Sequence, residues 1–179
     1  AEKQFPIGGA LRRRIGQAQV IGADDCRRFR QLNLVASMGP PHAVEDKPWA
    51  EDRLGPDRIK RAYAWRSLRS AGVPLTFNSD LPGSDGSIFY GLHAAITRRD
   101  KQSLPEQGWY PEQTVGIEEA VRAYTNWAAY SAFRETQTGI LKKGYWADIT
   151  VLDIDPFVLA STNPSDILSG KVLLTMVNG

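Results

Sequence analysis

The chain has 179 residues, 42% of them hydrophobic and 23% charged, with a formal net charge of +2; these are values of an ordinary globular domain and exclude a disordered or fibrous protein. No apolar run approaches the roughly 20 residues of a spanning helix, and the opening AEKQFPIGGA lacks the apolar stretch of a signal peptide, which predicts a cytoplasmic protein without a membrane partner. The single Cys26 excludes an internal disulfide and reads as a reduced, inert thiol; Arg12, Arg13, Arg14, Arg27, Arg28 and Arg30 cluster near the start but read as solvated surface, not as a nucleic-acid face.

RRRIGQAQVI reads as a short strand, and DDCRRFRQL after it as a helix with acids in its first turn and Cys26, Phe29 and Leu32 at helical spacing. NLVASM gives a second strand. The stretch GPPHAVEDKPWAEDRLG, dense in proline and charge, predicts a long loop. Pro56 and Asp57 open the next helix, where Ile59, Ala62, Tyr63 and Leu68 form an apolar stripe and Gly72 supplies the stop. GVPLTFNSDLPG is the third strand; it carries Val73, Leu75 and Phe77 and halts on Asp80 before a turn. This alternation predicts right-handed βαβ units on a parallel sheet, in which ligands sit beyond the carboxyl ends of the strands. Asp80 lies at one such end, and His42 lies just beyond another.

Ser87 can cap a further helix whose Ile88, Phe89, Leu92 and Ile96 face a core and whose His93 is packed within it. Gly116, with Glu118 and Glu119, opens another helix expected to run through Tyr124, Trp127 and Tyr130, while KQSLPEQGWYPEQT between the two predicts an exposed loop. Tyr63, Trp65, Trp127 and Tyr130 are expected in the core. After Gly139, ADITVLDIDP predicts a strand apolar on both faces and therefore covered on both sides. KVLLTMVNG is a last strand that ends on Asn178-Gly179, a hairpin signal with no returning strand, so the chain reads as cut inside a hairpin.

The segment GILKKGYWADITVLDIDP followed by VLLTMVNG resembles the C-terminal part of amidohydrolase-superfamily enzymes. The run from SMGPPH to AAITRR is similar to the amidohydrolase 3 branch, the metal-dependent deacylase and deformylase-like hydrolases. The resemblance extends from Leu11 to Gly179. It implies an α/β fold: the C-terminal part of a (β/α)8 TIM-type barrel over residues 1–138, then part of a small β-sandwich domain over residues 139–179. It also implies hydrolysis of amide-like, non-peptide C–N bonds in a small substrate by metal-activated water, with a divalent metal, zinc first among them. Asp80 in NSDLPG matches the family's final acid, which holds metal and takes a proton from the attacking water. His42 in GPPH matches the histidine ligand after the sixth strand.

At the fifth strand the family's Glu-His-Ala-Gln is replaced by Gly16-Gln17-Ala18-Gln19, and residues 1–10 contain no His-x-His. Two metal ligands, His42 and Asp80, then remain where a catalytic zinc takes three. The chain is therefore expected to lack full catalytic competence. The alternative is a non-catalytic small-molecule-binding or protein-interaction module on a degenerate hydrolase scaffold. Trp49, Glu51 and Arg53, on the predicted long loop, are candidates for holding substrate or for locking that loop. A partial barrel leaves strand edges unpaired, which predicts association with a second copy or with a missing N-terminal portion.

Overall fold

The structure, a computed structural model, describes residues 11–179. Three strands, β1 (Arg14–Gly16), β2 (Val35–Met38) and β3 (Leu75–Phe77), lie side by side in that order, and both pairings are parallel. The central row aligns Ile15 with Ala36 and Ala36 with Leu75. Strands covered on both faces read as continuous apolar runs, and Val35, Ala36, Met38, Leu75 and Phe77 are buried accordingly. β1 is the exposed edge. α1 (Asp25–Gln31) links β1 to β2, and α2 (Pro40–Arg58) with α3 (Trp65–Ser70) links β2 to β3, the βαβ order expected from the sequence.

The proline-rich stretch predicted as a loop is instead α2. Pro40 and Pro41 occupy its first turn, where a missing N–H leaves no helical bond unmade, and Ala43, Val44 and Ala50 are buried along it. The helix is interrupted at Gly55, whose φ of 73° and ψ of 171° are not helical. The single helix predicted from Pro56 to Gly72 is also broken. After a 3-10 turn at Ile59–Arg61, Ala62 forms an antiparallel bridge with Val20, and the Tyr63 N–H donates to the Gln19 carbonyl at 2.6 Å. Pairing with a remote segment thus takes these two residues out of the helix before α3 begins. On the other side of the bridge, the predicted first strand stops at Gly16, because Gln17 (φ 67°) and Ala18 (φ 42°) turn left-handed.

α4 (Ile88–Thr97) starts as predicted, with the Ser87 hydroxyl accepting the Tyr90 N–H at 3.3 Å. His93 is fully buried, its Nδ1 3.1 Å from the Pro164 carbonyl oxygen. The helix predicted to run through Tyr130 divides at Thr125 (φ −120°, ψ −99°) into α5 (Ile117–Tyr124) and α6 (Asn126–Ser131), and Tyr130 is exposed, not core. The connection between α4 and α5, predicted to be exposed, buries Trp109 and Gln113.

β4 (Ile149–Leu152) and β5 (Val172–Met176) form a separate antiparallel pair, with α7 (Pro156–Thr162) between them. The expected cover on both faces is absent among the described residues. Leu152 and Ile154 pack against the main core, whereas Val151 and every residue of β5 are exposed. That core joins Met38, Trp65, Leu68, Val73, Leu75 and Phe77 to Phe89 and Leu92 of α4, Ala120 and Ala123 of α5, and Ile167. No helix among the described residues is long and apolar enough to cross a membrane.

Candidate functional site

Three side chains meet beyond the carboxyl ends of the three parallel strands. Gln17 follows β1 directly, His42 sits in the first turn of α2 just after β2, and Asp80 follows β3 by three residues. The Gln17 amide nitrogen donates to Asp80 Oδ2 at 2.9 Å, and His42 Nε2 lies 3.1 Å from the same oxygen. Asp80 is left-handed (φ 50°), and its backbone carbonyl closes the following turn by accepting the N–H groups of Gly83 (2.6 Å) and Ser84 (3.2 Å). The carboxylate is therefore left for the two partners across the sheet. A second polar pair stands beside it, with Asn78 Nδ2 3.2 Å from the Ser37 hydroxyl.

The His42 ring is buried and packs close to Gly39. A Cβ on residue 39 would meet Cε1 and Nδ1 of the imidazole at 3.0 Å, so the ring's position depends on glycine there. Farther along, two aromatic residues bond carboxylates of α2. Tyr63 donates its hydroxyl to Asp46 at 2.5 Å, and the Trp109 indole donates to Glu51 at 2.8 Å. Burial and the Asp46 carboxylate push the Tyr63 phenol well above its ordinary range. Both aromatic residues are tied to Arg98, which is fully buried. Arg98 Nε donates to the Trp109 carbonyl at 2.8 Å and Nη1 to the Tyr63 carbonyl at 3.1 Å, with the guanidinium 4.4 Å from the centre of the Trp65 ring. Burial lowers the Arg98 pKa to about 10.

Of the sequence-derived substrate candidates, Glu51 is thus bonded to Trp109, while Trp49 and Arg53 stack on each other at 5.3 Å. Because the segment is helical, Trp49 stands about 10 Å along the axis from His42 at ~1.5 Å per residue, and the structure gives neither residue a contact with the Gln17–His42–Asp80 trio. Arg98, the residue that anchors this arrangement, gave no signal in the sequence beyond an arginine following an apolar helix.

The trio does not by itself fit a metal ion. A catalytic zinc is held by three protein ligands from His, Cys and acidic side chains. Among the described residues no group of three such side chains could hold one. The third member here is an amide that presents an N–H to the carboxylate oxygen. His42 Nδ1 is buried without a hydrogen-bond partner, whereas a metal-bound imidazole donates its other N–H to an acceptor that fixes its orientation.

The profile of the amidohydrolase family matches residues 2–179. The YtcJ protein of Bacillus subtilis is 30% identical over 178 residues, covering 99% of this chain and 33% of YtcJ. The N-substituted formamide deformylase of Arthrobacter pascens is 31% identical over 119 residues, covering 66% of this chain and 21% of that enzyme. Among solved structures, an uncharacterized metal-dependent hydrolase from Pyrococcus horikoshii OT3 superposes with a TM-score of 0.72 at 26% identity, over 84% of this chain and 30% of the other. The chain spans a third or less of the length of these relatives. It belongs to the amidohydrolase family and shares the α/β fold of a metal-dependent hydrolase.

Proposed function

We propose that this chain carries the proton-accepting edge of a site for hydrolysis of amide-like, non-peptide C–N bonds, and that the edge alone is catalytically incompetent or very weak. The observation that supports it is the convergence of Gln17 and His42 on one carboxylate oxygen of Asp80 beyond three parallel strand ends. That is the place where α/β enzymes assemble their chemistry. Asp80 is the group positioned to take a proton from an attacking water, and His42 orients it through Nε2. A relative named for deformylation of N-substituted formamides favours a small N-acyl or N-formyl amine as the substrate class.

In this reading β1, β2 and β3 are later strands of a (β/α)8 barrel reaching to residue 138, and β4 with β5 is part of a small composite sandwich from residue 139. The divalent metal of the family, zinc by the preference of imidazole and carboxylate donors, needs ligands that the described residues do not supply, so no step runs through an ion held by them. Trp49 and Arg53 remain the exposed pair of α2 available to a substrate's distal end.

The test is an NMR titration of the purified chain with an N-alkylformamide, coupled to an assay for released amine. Perturbed amides at residues 17, 42 and 80 with no amine released are expected. An undisturbed rim would overturn the assignment of the site, and amine release that Asp80→Asn abolishes would overturn the claim of incompetence.

A further inference from the structure

The carboxylate of Asp80 is 40% exposed, yet one of its oxygens is already taken twice, by Gln17 Nε2 at 2.9 Å and His42 Nε2 at 3.1 Å. Gln17 is held in place from both sides. Its own φ of 67° swings it off the end of β1, the Ala18 N–H returns to the Gly16 carbonyl at 2.8 Å, and residues 19 and 21 bond residues 63 and 61. The side chain thus projects from a backbone that neighbouring bonds determine. An amide facing a carboxylate with its N–H satisfies both groups, and turning Oε1 toward Oδ2 would set two acceptors against each other.

We propose that Gln17 is the positioning residue of Asp80 in this chain, doing with an N–H donor what a cation would otherwise do, so that the trio is a metal-free hydrogen-bonded site. The separations carry a second consequence. Donor atoms sharing one tetrahedral zinc at ~2.0–2.2 Å stand roughly 3.3 Å apart, and the two pairs on Asp80 Oδ2 are already close to that spacing. What the trio lacks is a third donor with a lone pair where the amide N–H now points, and a single exchange of Gln17 for histidine supplies it. The inference rests on the reading of the trio as the hydrolase rim, but its measurement is metal content and not amide binding, so the two can fail separately.

The experiment compares wild type, Gln17→His and Gln17→Leu after dialysis against zinc, with metal quantified per chain, folding checked by circular dichroism, and the visible spectrum recorded after loading with Co2+. Wild type and Gln17→Leu are expected well below one zinc per chain. Gln17→His is expected to take up one zinc and to show the d–d absorption of tetrahedral Co2+. In metal-free protein, Gln17→Leu is expected to shift the Asp80 carboxylate carbon resonance, a change that a distant structural role would not produce. The proposal is overturned if wild type binds one zinc that Asp80→Asn abolishes, if Gln17→His folds and stays metal-free, or if Gln17→Leu leaves the Asp80 resonance in place. Should Gln17→His fail to fold, the wild-type and Gln17→Leu measurements decide.

Discussion

Glu119 joins three bonds in one carboxylate. It accepts the Gly116 N–H at 3.3 Å at the start of α5 and pairs with Arg66 at 3.0 Å and Arg69 at 3.4 Å on α3. Burial pushes its carboxyl up, but the N–H and the two guanidinium groups outweigh that effect and hold it below the usual glutamate range. Replacing Glu119 with Gln keeps the shape and removes the charge. The weakened helix-start interaction is worth about 0.5–1 kcal/mol, and each half-exposed ion pair about 0.5 kcal/mol, which together give a loss of about 2 kcal/mol at pH 7. With a urea slope of about 2 kcal/mol/M, the unfolding midpoint should fall by about 1 M. The sign with pH follows from the lowered value. The folded chain releases this proton more readily than the unfolded one, so the stabilisation is complete above the unfolded pKa of about 4.3 and is lost as pH falls through the folded value. The gap between wild type and Glu119→Gln in urea titrations should therefore narrow steadily below about pH 5. An unchanged midpoint at pH 7, or a gap that stays constant from pH 7 to pH 4, would refute the reasoning.

Arg98→Ala leaves the Trp109 carbonyl without its guanidinium donor and a void among Tyr63, Trp65 and Trp109. The expected loss is about 3 kcal/mol, or a drop of about 10 °C in melting temperature; an unaltered melt would count against the clamp. His93 is buried, and its pKa is lowered chiefly by desolvation, so the unfolded chain binds its proton first. Stability should be full above about pH 6.5 and decline as pH falls below it, and His93→Gln should flatten that part of the profile in chemical denaturation. Trp49→Ala should change stability by no more than about 0.5 kcal/mol, because the residue is exposed, and should weaken N-alkylformamide binding if the α2 surface reaches the substrate; an unchanged titration removes it from the site. The exposed edge of β1 and the uncovered β5 should drive association, seen as species heavier than 19.8 kDa in sedimentation velocity. A single monomeric boundary at micromolar concentration would contradict this.

What was legible in the sequence were features set by neighbouring residues: the apolar runs of β2 and β3, the Ser87 cap, and the placement of His42 and Asp80 past strand ends. What was not legible depends on partners far along the chain. Tyr63 leaves helical geometry because it bonds Gln19, some forty residues earlier. Trp109 and Gln113 lie in a stretch rich in polar and turn residues, yet Arg98, Glu51 and Ser67 give each a buried place. In α2, prolines and charges hid a helix whose small residues, Ala43 and Ala50, do the packing. A local pattern of polarity carries no record of such remote bonds.

The trio shows how far position can be read when identity cannot. Parallel pairing sets Gly16 opposite Ser37 and Ser37 opposite Thr76, one row at the carboxyl ends of the three strands. Gln17 then stands one residue past that row, Asp80 four and His42 five. A slip of one residue in either pairing would turn the slipped strand's side chains to the opposite face and separate the three groups. The meeting point is therefore a property of the register and survives changes in the residues brought to it. The chemistry is not protected in the same way. With Gln at position 17 the row ends in a carboxylate whose Oδ2 accepts the Gln17 amide N–H, and that side chain presents a donor where an ion would need a lone pair.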